Sequence, residues 1–253
     1  MKYSHRVHST LNRIAGYLRP QPMRIATSAT DLLGTVRGKD LAEQFNDLYY
    51  RSSRQMSYRG IPVLKNPCDL WVTMELFWSL QPVALVECGT AHGGSATFYA
   101  DLAKTFDLDC RVITIDINPK WTYDPASKGI LSLVGYSTDR NIHQQARAAV
   151  DDARRKRDGA VLVILDSDHS EANVLQELRL YGELVTPGSY IVVEDTNVNG
   201  HPSFPEHGPG PWEAVQKFLS EDQRFQADLD CQRHLLTFNP HGWLQRVRST
   251  PPA

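Results

Sequence analysis

From residue 83 onward, short apolar runs alternate with stretches of helical spacing. The runs fall at 83–86, 111–115, 131–134, 161–165 and 190–193. Each is of strand length and almost free of polar residues, the pattern of strands buried on both faces. Helical spacing fills 95–105, 141–157 and 171–184 between most of them. The alternation predicts an α/β fold: a mostly parallel, Rossmann-like sheet with helices on both faces. A further helix is expected over 211–219. After it, 234–238 and 243–247 read as an antiparallel edge hairpin around Asn239-Pro240-His241-Gly242. Upstream, Asp69 to Leu80 carries an apolar face of Leu70, Met74, Phe77 and Trp78, with Asp69 near a cap position after Pro67. Asp40 to Tyr50 is amphipathic through Leu41, Phe45, Leu48 and Tyr49. Residues 1–60 are expected as an N-terminal helical extension and 61–253 as the α/β domain.

Ligands of open α/β sheets bind beyond the carboxyl ends of the strands, so the residues after each run carry the functional reading. The first run leads into Val86-Glu87-Cys88-Gly89-Thr90-Ala91-His92-Gly93-Gly94-Ser95, a glycine-rich turn opening a helix. That geometry brings backbone N–H groups and a positive helix end to a ligand. Taken alone, the turn is equally a structural βα connection. The second run ends in Asp116, placed to hold a ribose hydroxyl. The G-x-G-x-x-G spacing of dinucleotide sites is missing, which argues against NAD and FAD. S-adenosylmethionine, a nucleoside without pyrophosphate, suits the turn better. Gly135-Tyr136-Ser137-Thr138-Asp139 follows the third run, where polar groups meet an adenine edge.

Asp166-Ser167-Asp168-His169 and Glu194-Asp195-Thr196-Asn197 follow the fourth and fifth runs. Carboxylates converging from neighbouring strand ends repel unless a hard cation joins them, and oxygen ligands suit magnesium. Helix capping accounts for Asp168 or Ser170 individually but not for Glu194-Asp195.

Charge and cysteine content narrow the classes. The formal net charge is −2, so no global field favours nucleic acid or an anionic membrane. The four cysteines show no C-x-x-C spacing and read as reduced thiols of a cytoplasmic protein. No apolar run is long enough to span a bilayer. Met1 to Pro20 carries Lys2, Arg6, Arg13 and Arg19 and no acid, open to reading as a targeting peptide or a plain helix.

The segments Val86–Ser95, Ile113–Asn118, Gly135–Asp139 and Asp166 together resemble the magnesium-dependent, S-adenosylmethionine-dependent O-methyltransferases that include catechol O-methyltransferase. Roughly residues 55–247 resemble more closely the cephalosporin-hydroxylase-like family, with its rhamnosyl and methylmannoside O-methyltransferases. Ile164–Ser170, Val192–Asn197, Asn199-Gly200-His201-Pro202 and Gly208-Pro209-Gly210-Pro211 carry that likeness. The resemblance implies a class I methyltransferase fold and transfer of a methyl group to a sugar hydroxyl in polysaccharide or glycolipid biosynthesis.

By the same likeness Glu87, Gly89 and Ser95, with Thr90 and Gly93 of the turn, would hold the amino-acid part of S-adenosylmethionine. Asp116 would hold its ribose, and Ser137 and Thr138 would lie by the adenine. Asp166, Glu194 and Asp195 would bind Mg2+, with Asp168 as an alternative to Asp166. The catechol class usually has an amide where this chain has Asp195. His169 falls where that class carries its catalytic lysine and is the candidate base beside Asp166, with His143 as rival. The Pro- and Gly-rich stretch 199–211 reads as an acceptor wall, giving His201, His207 and Trp212 as further substrate candidates. A small-molecule or oligosaccharide acceptor and a homodimer are expected. Competing readings are a tailoring enzyme of antibiotic or other natural-product biosynthesis and a non-catalytic nucleoside-binding subunit.

Overall fold

The computed structural model describes residues 36–51 and 56–247, so the reading of Met1 to Pro20 lies outside the described residues. Helix α1 (Val36–Arg51) precedes a hairpin, β1 (Met56–Tyr58) and β2 (Ile61–Val63), and then α2 (Pro67–Leu80). The main run follows as β3 (Ala84–Cys88), α3 (Gly94–Thr105), β4 (Arg111–Asp116), β5 (Ile130–Val134), α4 (Arg140–Lys156), β6 (Val161–Leu165), α5 (Glu171–Tyr181) and β7 (Tyr190–Val193). Helix α6 (Pro211–Glu221), β8 (Phe225–Ala227) and β9 (Trp243–Arg246) close the described chain. The seven-stranded sheet has the order β5-β4-β3-β6-β7-β9-β8. Strands β3 to β7 pair in parallel, while β9 runs antiparallel to both β7 and β8.

The central strands are buried at every residue, β3, β6 and β7 alike, which is what their unbroken apolar runs require. Alternate residues serve opposite faces. Val86, Ile113 and Val163 pack with Ile142, Ala146 and Val150 of α4 and with α5 and α6. Leu85, Val112 and Leu162 pack with Phe77 of α2, Tyr99 of α3 and Trp243. The carboxyl ends of β3, β4 and β6 thus lie side by side, at Cys88, Asp116 and Leu165.

Three local expectations fail. The β1–β2 hairpin replaces helical chain ahead of residue 60; Arg59 and Gly60 both take positive φ (52° and 80°), which turns the chain in two residues. Segment 234–238 is not a strand, and β8 takes its place beside β9. Its backbone is diverted to Asp69, whose carboxylate accepts from Thr237 Oγ1 (2.5 Å) and the Phe238 N–H (2.8 Å). Asp69 therefore does not cap α2; Asn66 does, its Oδ1 accepting from the Cys68 N–H at 2.8 Å.

Candidate active site

A cavity of about 530 Å³ opens over the carboxyl ends of β3, β4, β5 and β6, within the range of small-molecule sites. Its lining includes Gly89, Thr90, Ala91 and Ser95 from the glycine turn, Asp116 and Ile117 after β4, and Tyr136 and Ser137 after β5. Asp166 to His169, Asp195 and Lys65 form the other end. Gly89, Thr90, Ser95, Asp116 and Ser137 thus line one space.

The glycines do not all serve a ligand. A Cβ on Gly89 (φ +98°) would stand 1.9 Å from the Asp166 carbonyl oxygen, so this glycine lets β3 and β6 close together. A Cβ on Gly93 would overlap the Trp121 ring at 2.0 Å. Gly93 is covered by that ring and does not line the cavity, contrary to expectation. Thr138 is also outside the lining; its carbonyl accepts from Gln176. Asp116 has a duty the sequence did not reveal: Oδ2 accepts from the Thr90 and Ala91 N–H groups (3.0 and 2.8 Å), and Oδ1 from the Asn118 N–H (2.7 Å). The acid ties the glycine turn to β4 and offers the cavity its remaining lone pairs. Glu87 is fully buried below the turn. Its Oε2 accepts from Thr114 Oγ1 at 2.8 Å, whereas Oε1 has no hydrogen-bond partner among the described residues.

Asp166, His169 and Asp195 bring one ligand atom each within 4.8 Å of one another. His169 Nε2 lies 3.3 Å from Asp166 Oδ1 and 3.6 Å from Asp195 Oδ2. Asp168 is exposed, accepts from the Ser170 N–H at 2.8 Å and stands apart from this group. Asp195 takes a positive φ (54°), with its N–H held by Asn239 Oδ1 at 3.0 Å. Burial works against the His169 charge, but the bond to Asp166 and the field of Asp195 outweigh it and raise its pKa to about 9. The two carboxylates thus favour the protonated ring while both face it.

Glu194 is buried and lies outside that trio; Lys65 Nζ donates both to Glu194 Oε1 (2.6 Å) and to Asp166 Oδ2 of the trio (2.9 Å). Burial works against the ammonium too, yet Asp166 and Glu194 hold the Lys65 pKa well above its ordinary value. The sequence reading missed Lys65. The signal available was an excess of acids at two strand ends with no cation assigned to them.

Tyr50, at the end of the amphipathic stretch Asp40 to Tyr50, also reaches the acids. Helix α1 brings its hydroxyl 3.5 Å from Asp195 Oδ1, and Asn197 Nδ2 donates to it at 3.2 Å. Its ring stacks on Phe238 (centroids 4.9 Å, 13°) and meets Phe204 edge-on at 4.7 Å.

His143 is misplaced by the sequence reading. It lies on the inward face of α4, its ring edge-on to Tyr181 and its Nε2 3.1 Å from the Leu180 carbonyl, outside the cavity lining. Burial, together with Arg147, lowers its pKa. His201, His207 and Trp212 are also absent from that lining. His201 stacks on Trp212 (4.4 Å, 13°) and meets Glu213 Oε1 at 3.0 Å, while His207 stays exposed against the Gly208 carbonyl.

Residues 50–247 match the family model described as Rhamnosyl O-methyltransferase/CmcI. The rhamnosyl O-methyltransferase of Mycobacterium tuberculosis (strain ATCC 25618 / H37Rv) is 34% identical over 214 residues, covering 81% of this chain and 85% of that protein. The rhamnosyl O-methyltransferase of Mycobacterium leprae (strain TN) is 34% identical over 212 residues, covering 81% and 90%. Among solved structures, CmcI with Mg and SAM superposes with a TM-score of 0.57 at 24% identity, covering 80% of this chain and 84% of that one. An apo structure of CmcI gives 0.58 at 22% identity with the same coverage. At these identities the structural likeness establishes the fold.

Proposed function

The chain belongs to the Rhamnosyl O-methyltransferase/CmcI family, and on that premise we propose that it methylates a saccharide hydroxyl, using S-adenosylmethionine as donor and Mg2+ as cofactor. A rhamnoside or methylmannoside is the acceptor class, in polysaccharide or glycolipid assembly. The observation that carries the reading is the meeting, in one cavity, of the glycine turn with the Asp166–His169–Asp195 group. A nucleoside-binding subunit without chemistry would have no use for that second half.

The residues fit both ligands. Ser95, Asp116 and Ser137 line the cavity along the length of a nucleoside. Glu87, buried beneath the turn and outside that lining, keeps Oε1 without a partner among the described residues, an acceptor for a cationic N–H donor such as the ammonium of S-adenosylmethionine. Asp166 and Asp195 offer hard oxygens, and Glu194 has one oxygen beyond the one Lys65 holds. Mg2+ held by Asp166, Glu194 and Asp195 would supply Lewis-acid stabilisation of the ionising acceptor hydroxyl.

The chain's own groups do the rest. His169 Nε2 receives the hydroxyl proton once the field of Asp166 and Asp195 no longer holds a proton there already. The acceptor oxygen then forms its bond to the methyl carbon as the carbon–sulfur bond breaks, leaving S-adenosylhomocysteine. Tyr50 and Phe204 provide the wall on the acceptor side. Exposed Phe204 is the point where the loop carrying His201 and His207, which leads into Trp212 on α6, reaches the acids through Tyr50.

No helix among the described residues is long and apolar enough to cross a membrane. A cytoplasmic homodimer belongs to the same reading; what supports self-association is the exposure of Trp71 and Trp78 on one helix, α2. Methyl transfer from labelled S-adenosylmethionine to short rhamnosides and mannosides, with and without chelator, tests the function. Labelled product on no sugar of the panel, or full activity in excess chelator, would overturn it.

A further inference from the structure

Lys65 is a long side chain buried among acids that the reaction, as described, does not use. Its side chain is 4% exposed. Both ends are fixed: Nζ by Asp166 and Glu194, and the backbone by Tyr49, whose hydroxyl donates to the Lys65 carbonyl at 3.1 Å. The next residue, Asn66, caps α2. An ammonium so enclosed cannot swing out to water when another cation arrives.

We propose that Lys65 is a positioning residue and the permanent counter-ion of the carboxylate cluster, pinning one oxygen each of Asp166 and Glu194 and limiting how tightly a divalent cation is held. The inference rests on the divalent site proposed above. Asp166 divides its two oxygens, Oδ2 to Lys65 and Oδ1 toward His169, so the lysine also fixes the partner of the base. Its charge acts in the opposite direction on metal binding. A fixed positive charge a few ångströms from the ligand oxygens repels an incoming cation, and in a buried setting that repulsion is poorly screened. A release rate suited to turnover is the gain from this repulsion.

The two effects separate in a binding measurement. Loss of a merely structural residue would loosen the ligands and weaken the metal. Loss of a counter-ion strengthens it. Calorimetric titration of the metal-stripped full chain with Mg2+ and with Mn2+ is expected to show Lys65→Gln binding about tenfold more tightly or better, while kcat falls and the KM for S-adenosylmethionine stays within about threefold. Lys65→Arg keeps the charge and displaces the N–H groups, so its divalent affinity stays within about threefold of the parent while turnover still falls. Unchanged or weaker binding by Lys65→Gln overturns the counter-ion role. If that variant does not fold, Lys65→Arg decides, and a tenfold change in its affinity overturns it. A parent protein that binds neither ion overturns the divalent site itself, a result distinct from a parent that binds and a glutamine variant that binds no better.

Discussion

His169 Nε2 lies 3.3 Å from Asp166 Oδ1, three residues earlier in the chain, because the turn after β6 places both side chains over the same strand end. A base on a rigid strand-end turn needs little reorganisation to meet its substrate. His169→Ala is expected to lower kcat by about a hundredfold or more. S-adenosylmethionine affinity should be unchanged, because the turn residues proposed to hold the cofactor are untouched. Turnover and calorimetric binding of the cofactor check both halves, and near-normal turnover would exclude His169 as the base.

Gly89 and Asp166 are coupled through the backbone. A methyl group at 89 would meet the Asp166 carbonyl at 1.9 Å in a conformation (φ +98°) that side chains avoid. Gly89→Ala should cost about 3 kcal/mol or more in stability and displace the candidate metal ligand. Gly60→Ala is the control, with positive φ but nothing within 4 Å of the added carbon, and should cost only about 1 kcal/mol. Urea unfolding of the two variants measures the difference.

The strands and helices of the sheet were legible because each is specified locally, by an unbroken apolar run or a helical stripe. Features that join distant residues were not. Segment 234–238 has the composition of a strand, but Thr237 and Phe238 hydrogen-bond to Asp69, 168 and 169 residues away in sequence. Lys65 meets acids 101 and 129 residues downstream. His143 could have been set aside from the sequence. It lies at i, i+3, i+7 spacing with Ala146 and Val150, the buried stripe of α4, whereas His169 precedes its helix. Strand-end position located the carboxylates correctly. It did not say that Glu194 would face a lysine.

Asp116 accepts from two N–H groups of the glycine turn, Thr90 and Ala91, and from the Asn118 N–H beyond β4, so charge and shape can be separated. Asp116→Asn keeps the size, but whichever way the amide turns, its N–H₂ faces backbone donors, the Thr90 and Ala91 N–H groups or the Asn118 N–H. Each charge-assisted bond contributes about 1.5–3 kcal/mol. The variant is expected to lose thermal stability and to bind S-adenosylmethionine about tenfold more weakly or worse. Weakened binding with an unchanged melting temperature would mean that Asp116 serves the ligand alone.

Glu177 gives the protein a stability term that depends on pH. It is fully buried on α5, its Oε1 receives Ser167 Oγ at 2.6 Å, and Oε2 has no partner among the described residues. Burial raises its pKa from 4.5 to about 7, against the opposing pull of the Ser137 and Ser167 hydroxyls. Because the folded value is the higher one, the unfolded chain releases its proton first as pH rises. Stability from this group is therefore intact below about pH 4.5, falls between 4.5 and 7, and stays reduced above 7. The reduction is about 3 kcal/mol at 1.36 kcal/mol per pKa unit. Glu177→Gln, which keeps the shape and cannot ionise, should be more stable than the parent by about that amount at pH 8.5 and equal to it near pH 4. Unfolding curves at the two pH values check this, and equal stability at pH 8.5 would mean that the carboxylate is ionised and satisfied where it lies.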